Sequence, residues 1–292
     1  MESIEVPKKP SGNVARRKLT NQIAIGAIFA AVILAIVPLF FILADVIIKG
    51  APEINLNFLT QLPTPVNVPG GGVANAIEGS FIMVAIAALI ALPIGVGAGI
   101  FLSEWGEMRF ATAASFINDV LAEFPSIVIG IFVYVIVVLT THTFSAFAGG
   151  IALAIIMIPI VARTTEESLK LVPRSLREAS MALGVSRWRT ITRVVLSTGR
   201  GGLVTGVLLS IARAAGETAP LLLTALGSTL AVNSLFSPTA ALPLLIYTYG
   251  ISPFQDWQNK AWGASLVLVL FVLVLNLAVK AVTRGKFITV VE

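Results

Sequence analysis

Cysteine is absent from the 292 residues. That excludes disulfides and thiolate metal sites and leaves the compartment open. Charge is scarce: Asp, Glu, Lys and Arg make up 12% of the chain, against about 25% in ordinary soluble domains. Histidine occurs once, as His142 in a short loop, and reads as an ordinary loop residue. No GxxxxGK[ST] string appears, so the chain carries no nucleotide-binding P-loop of its own. No paired nucleophile and base lie in its apolar runs, so the chain is not expected to be an enzyme. What it has in quantity is apolar side chains, at 57%, with a mean hydropathy of +0.94. A soluble core of this size would not need so much, and the class is an all-α polytopic membrane protein. The net charge of +5 would suggest nucleic acid in a soluble protein. Here the basic residues are unevenly spread, which points to membrane lipid and to no nucleic acid.

A bilayer needs roughly 20 apolar residues per helix. Six runs meet that length or nearly do: 21–44, 80–102, 116–139, 141–162, 201–226 and 261–279. The first is too long for a signal-peptide core and lacks a convincing cleavage site after it, so it is expected to be retained. Seventeen of the 20 Lys and Arg residues fall in the N-terminal tail, the second and fourth loops and the C-terminal tail. Only Lys49 and Lys260 fall on the other side, and Arg213 lies inside a span. The positive-inside bias therefore predicts both termini and the long fourth loop in the cytoplasm. The implied organisation is a basic tail at 1–21, one transmembrane domain at 22–287 with a cytoplasmic loop at 163–200, and a short tail at 288–292.

Outside the spans, 50–79 carries Pro52, Pro63, Pro65, Pro69 and Gly70-Gly71-Gly72 and reads as an irregular outer loop with a flexible turn. The run 241–249 suggests a short helix at the outer interface, with Tyr247 and Tyr249 at headgroup depth. Gly95 and Gly99 form a small-xxx-small pair suited to close helix packing. Pro93, Pro125, Pro159 and Pro220 each remove a helical donor and can bend their spans.

The fourth loop is the most informative segment. Helix formers run from Arg174 to Leu183, Gly184 suits a left-handed C′ position, and Ser186 is placed to cap a second helix from about Arg187. Two short helices around a glycine turn carry an apolar edge of Met181, Leu183 and Val185 that they cannot bury by themselves. An Arg-rich lipid anchor would account for the charge. A defined glycine turn is unnecessary for lipid, so protein docking is the favoured reading.

The spacing Glu178-Ala179-Ser180, three residues, Gly184, nine residues, Val194, one residue, Leu196 resembles the signature of ABC importer permeases, with Ser197 where that family usually has Pro. Further strings, PIVARTTEE at 159–167, RAAGETAPLL at 213–222, PSIVIGIFVY at 125–134 and LPLLIY at 242–247, resemble the phosphate-specific importer and its A-type permease. The similarity runs from about 71 to 287. It implies a six-helix, MetI-like (type I importer) permease fold in the cell membrane of a bacterium or archaeon. It also implies a homologous second permease, an ATPase dimer that holds ATP and Mg, and an extracytoplasmic phosphate-binding protein. No cofactor is expected on this chain. The loop 173–197 would be the ATPase-coupling segment, with Glu178, Ala179, Ser180, Met181, Leu183, Gly184, Val185 and Arg187 as its contacts. A permease of the same architecture for another anion or polar solute is the alternative, and an independent channel is a more distant one.

Ionisable residues within spans are costly and mark pathways or paired interior sites. Arg213 falls about 12 residues, or roughly 18 Å, into the fifth run, near mid-bilayer for a core about 30 Å thick. Glu217 follows four residues later. The two could be a helix-clamping ion pair, or Arg213 could attract an oxyanion while Glu217 orients it. The planar guanidinium fork suits phosphate. Arg163, followed by Glu166 and Glu167, is either an exit residue on the substrate pathway or an interfacial anchor. Asp119 and Glu123 lack any catalytic companion and read as gate or helix-end groups.

Overall fold

The computed structural model describes residues 14–66 and 68–284. The first thirteen and last eight residues, which hold most of the expected N-terminal tail and all of the C-terminal tail, lie outside them. The chain forms two compact units, 1–48 and 49–292. The first is the helix α1 (Val14–Gly50) over most of its length. It starts well before the expected residue 21. It is apolar on every face and almost wholly exposed, as suits a helix whose surroundings are lipid or another subunit.

In the second unit, α2 (Leu56–Thr60) precedes α3 (Ala74–Trp105), α4 (Arg109–Glu123), α5 (Ser126–Val133) and α6 (Leu139–Thr141). Then follow α7 (Ala146–Lys170), α8 (Arg174–Ala182), α9 (Arg187–Thr190), α10 (Leu196–Ala215), α11 (Ala219–Thr224), α12 (Leu242–Gly250) and α13 (Gln255–Arg284). Stretches of π-helix at Tyr134–Val138 and Ile191–Val195 join α5 to α6 and α9 to α10. Among the described residues, four helices long and apolar enough for crossing are here, α1 is a fifth, and a bent pair counted as one span makes a sixth.

That bent pair corrects the expected continuous run at 116–139. α4 and α5 meet at 102°. Pro125 disfavours the α conformation in the residue before it, and Phe124 is accordingly extended at φ −64°, ψ 133°. The proline ends one helix and starts the next rather than bending a single span. The fifth run needs a similar correction. Helix continues unbroken from Arg187 to Ala215, and α10 stops at Gly216. Glu217 and Thr218 are non-helical, and Pro220 enters the first turn of α11. Gly is a poor helix former, and Pro220 offers no N–H to the carbonyl four residues back, so the break falls between them.

α3 and α7 pack along their length, and α10 lies against α7. In lipid, apolar burial separates packed from unpacked helices weakly, so close backbone approach between small residues decides the contact. A Cβ on Gly99 would fall 2.5 Å from the Ala162 carbonyl oxygen, and one on Gly95 would fall 2.7 Å from Val161 Cβ. Gly206 of α10 lies equally tightly on Thr164. Met83, Ala87, Leu153 and Met157 fill the seam, with Leu221 and Leu244 closing it at one end.

At that end the expected flexible glycine turn is held in place. Gly70 and Gly71 adopt φ of +83° and +77°. The buried Lys260 ammonium donates to the Gly70 carbonyl at 2.9 Å and pairs with Asp256 at 3.0 Å. α12 packs into the fold against α13 and α3. Tyr247 is exposed, whereas Tyr249 is buried and stacks on Trp257 with ring centroids 4.4 Å apart. Tyr249 thus faces the protein interior, because Leu242, Leu245 and Tyr249 recur at helical spacing on the buried face of α12.

Candidate functional site

The basic loop begins where α7 stops. Val172 and Pro173 break the chain, since proline disfavours helix in its predecessor, and α8 starts at Arg174. Its end is a complete Schellman cap. The Val185 N–H donates to the Ser180 carbonyl at 3.3 Å, and the Gly184 N–H donates to Met181 at 2.9 Å. Gly184 has φ +79° with open space around it. Its requirement for glycine is therefore conformational and owes nothing to crowding. Ser186 occupies the first position before α9, but its hydroxyl makes no cap, which corrects that expectation. A Ser180–Thr190 hydroxyl contact at 2.9 Å ties α8 to α9 instead.

The outward face is apolar and unpartnered within this chain. Leu183 is 85% exposed and Trp188 63%, and Leu176 is exposed too, while the exposed Met181 borders the side toward α3. Glu178, Ala179 and Arg187 are exposed as well, while Ser180 and Val185 are half-buried between the two helices. Trp188 escaped sequence reasoning; its signal was a large aromatic residue four positions past the turn, within an otherwise basic run.

The inward face is fixed by charge. Arg177 Nε donates to Glu104 Oε1 at 3.1 Å, and another guanidinium nitrogen lies 3.0 Å from the same oxygen. The same guanidinium caps α7, donating to the carbonyls of Leu169, at 2.8 Å, and Val172. Helix C-termini leave such carbonyls without intrahelical partners. Arg187 donates to the Glu104 carbonyl at 2.8 Å, and its guanidinium stands 4.8 Å from the centre of the Trp105 ring. Glu104 and Trp105 were also missed by sequence reasoning. They end α3, 73 residues before Arg177, and no local pattern connects the two.

The remaining predicted residues fall into two separate clusters. Arg213 is in the last turn of α10, where a cation complements the helix dipole. The expected place midway along the run 201–226 is thus a helix end. Glu217 lies beyond the helix end, and the chain folds it back through N–H bonds from Gly216 to Arg213 and from Glu217 to Ala214. The carboxylate then reaches Arg213 Nε at 3.6 Å, leaving the guanidinium 53% exposed. Arg163 donates to Glu167 at 3.0 Å and to Glu166 at 3.5 Å, and Glu166 also takes Lys170. Its charge is thus paired within its own helix, with the side chain 49% exposed. No hydrogen bond or ion pair joins Arg163 to Arg213 among the described residues. Asp119 and Glu123 are exposed on α4.

Apolar helices of spanning length, one broken span and an exposed helix–glycine–helix loop define an all-α, multi-pass membrane protein. A chain of the inward-facing MetNI methionine ABC transporter superposes with a TM-score of 0.57 at 20% identity, covering 73% of this chain and 94% of that one. A chain of a bacterial alginate ABC transporter, solved with its alginate-bound periplasmic protein, gives 0.62 at 12% identity, covering 94% and 99%. The chain belongs to the binding-protein-dependent transport system inner membrane component family, which it matches over residues 91–285. It is 45% identical over 273 residues to the phosphate transport system permease protein PstA of Yersinia pestis, covering 93% of this chain and 92% of that one. It is also 45% identical to PstA of Haemophilus influenzae, covering 92% and 96%. Against PstA 1 of Mycobacterium tuberculosis (strain CDC 1551 / Oshkosh) it is 37% identical, covering 95% and 94%.

Proposed function

We propose that this chain is the permease subunit of an ATP-driven phosphate importer. The identity to phosphate transport permeases along nearly the whole length supports the substrate. The observation that carries the coupling role is the exposed apolar face of α8 and the turn after it, Leu183 foremost, on a loop fastened from behind. Apolar surface presented to water on an ordered motif marks an interaction site. The partner is an ATPase dimer, which holds the ATP and Mg. A homologous second permease completes the pathway, and an extracytoplasmic phosphate-binding protein delivers the substrate. Both termini and the loop 173–197 lie in the cytoplasm. ATPase closure on this loop moves the bent helices between outward and inward access. The chain is non-catalytic.

Arg213 is the phosphate-attracting residue of the pathway. Its half-exposed fork still has donors free after the single contact to Glu217, and Glu217 holds the charge neutral between substrates. Arg163 marks the inner exit.

The test is reconstitution of the chain with its partner permease, ATPase and binding protein in proteoliposomes. Phosphate should stimulate ATP hydrolysis and accumulate in the lumen, whereas sulfate should do neither. Stimulation by a different anion, with none by phosphate, would move the assignment to that solute. Orientation is read separately, because the native chain has no cysteine. In intact cells a Ser175→Cys variant should resist an impermeant thiol reagent and an Asn233→Cys variant should react.

A further inference from the structure

The docking loop must move something. At one end α7 stops before Val172–Pro173, and at the other helix runs on through the π-helical Ile191–Val195 into α10. A further connection is non-covalent and runs to a different helix, α3. Arg177 of α8 and Arg187 of α9 both end on Glu104, one on its carboxylate and the other on its carbonyl, and Arg187 also covers the Trp105 ring. The Glu104 side chain is only 6% exposed and that of Arg177 16%. Such a pair does not dissolve into water when pushed.

The surroundings show that this contact is a strut. A cleft of about 690 Å³ opens on one side, between the last turn of α3 and the loop, lined by Ser103, Glu107, Arg174 and Glu178 among others. A second of about 190 Å³ opens toward Thr190 and Ile191. Glu104, Arg177, Met181 and Arg187 line both clefts. The loop is thus joined to α3 by a charged bridge across otherwise open space. α3 in turn is locked to α7 through Gly95 and Gly99. It is 32 residues long, about 48 Å at roughly 1.5 Å per residue, so a push at its Glu104 end is delivered along the full depth of the fold.

We propose that Glu104 and Trp105 are positioning residues for coupling: they transmit displacement of the docking loop to α3, so that α3 and α7 move together when the ATPase closes. The inference rests on the docking role assigned to the loop above. A bridge that only kept the loop folded would affect ATPase binding. A transmitting bridge affects the amount of phosphate moved per ATP.

The experiment uses the complete transporter in proteoliposomes, measuring retained ATPase, ATP hydrolysis and phosphate import together. In Glu104→Ala the ATPase should stay bound and hydrolysis continue. Phosphate moved per ATP should fall by about tenfold, within the range of ordinary coupling free energies. A second variant, Glu104→Cys with Arg177→Cys, should be equally uncoupled and should regain coupling when a short bifunctional thiol reagent bridges the two positions. An unchanged phosphate-to-ATP ratio in Glu104→Ala overturns the proposal, and so does loss of the ATPase from that variant. If Glu104→Ala does not assemble, equal ratios with and without the bridge in the double-cysteine protein overturn it. The docking role is tested independently by Gly184→Val: normal coupling there would remove the loop itself, whatever Glu104 does.

Discussion

Two arginine–glutamate pairs in this chain differ in almost every physical respect. Arg177 and Glu104 are nearly buried, join helices 73 residues apart and share their hydrogen bonds with two helix-end carbonyls. Arg213 and Glu217 are four residues apart, touch once at 3.6 Å, and leave the guanidinium half in the open. The first arrangement satisfies nearly every donor of a charge that cannot return to water. The second leaves donors unspent beside a break in the chain. The same residue types therefore serve as a brace in one place and as an available anion-binding group in the other. Exposure and the count of satisfied donors separate the two roles, whereas residue identity does not.

The contrast breaks most visibly if either member of the brace is removed. Arg177→Ala leaves the Glu104 carboxylate buried without its partner and removes the guanidinium donors from the Leu169 and Val172 carbonyls at the end of α7. It should lower stability by about 3–5 kcal/mol, read as thermal unfolding of the purified subunit in lipid nanodiscs. An effect below 1 kcal/mol would mean the pair is wet and the brace does not exist. Gly184→Val should cost less, about 1–2 kcal/mol for a β-branched residue held at positive φ, since nothing crowds the position. Its signature is a joint fall of phosphate transport and stimulated ATPase activity in a subunit that still inserts. At the other pair, where Arg213 is half-exposed, Glu217 is 16% exposed and the contact is 3.6 Å, Arg213→Gln should lower stability less than Arg177→Ala does and yet abolish transport. Arg213→Lys keeps the charge and loses the fork, so part of the transport should return. Arg163→Gln sharpens the comparison from the weakest side. Its ion pairs are local and its side chain is half-exposed, so the thermal midpoint should hardly move.

Local chemistry was legible in the sequence and distant chemistry was not. Gly184 announced the end of α8 because a left-handed cap is decided within six residues, and Gly95 with Gly99 announced a close contact because their spacing fixes one helix face. Pro125 signalled a disturbance, but not a 102° turn. A mid-helix proline bends or breaks according to whether its predecessor can stay helical, and Phe124 becomes extended. The fifth run was placed too far along because hydropathy continues across Gly216 and Pro220, so composition hid a stop that backbone hydrogen bonding imposes. Tyr249 was read for its depth alone, and its stacking partner Trp257, eight residues on, gave no local signal. Glu104 carried no signal at all. A single acid at the end of an apolar run has no pattern until the fold brings Arg177 and Arg187 to it.

The central claim is that the half-exposed pair handles the anion and is not a clamp. It is tested most directly by ATP-driven uptake of labelled phosphate into proteoliposomes carrying the whole transporter with both Arg213→Gln and Glu217→Gln. A clamp would be repaired by removing both charges, because no unpaired charge remains. A substrate group would not. The predicted result is normal assembly with phosphate uptake at background. Uptake restored to the level of the unmodified transporter would contradict the account.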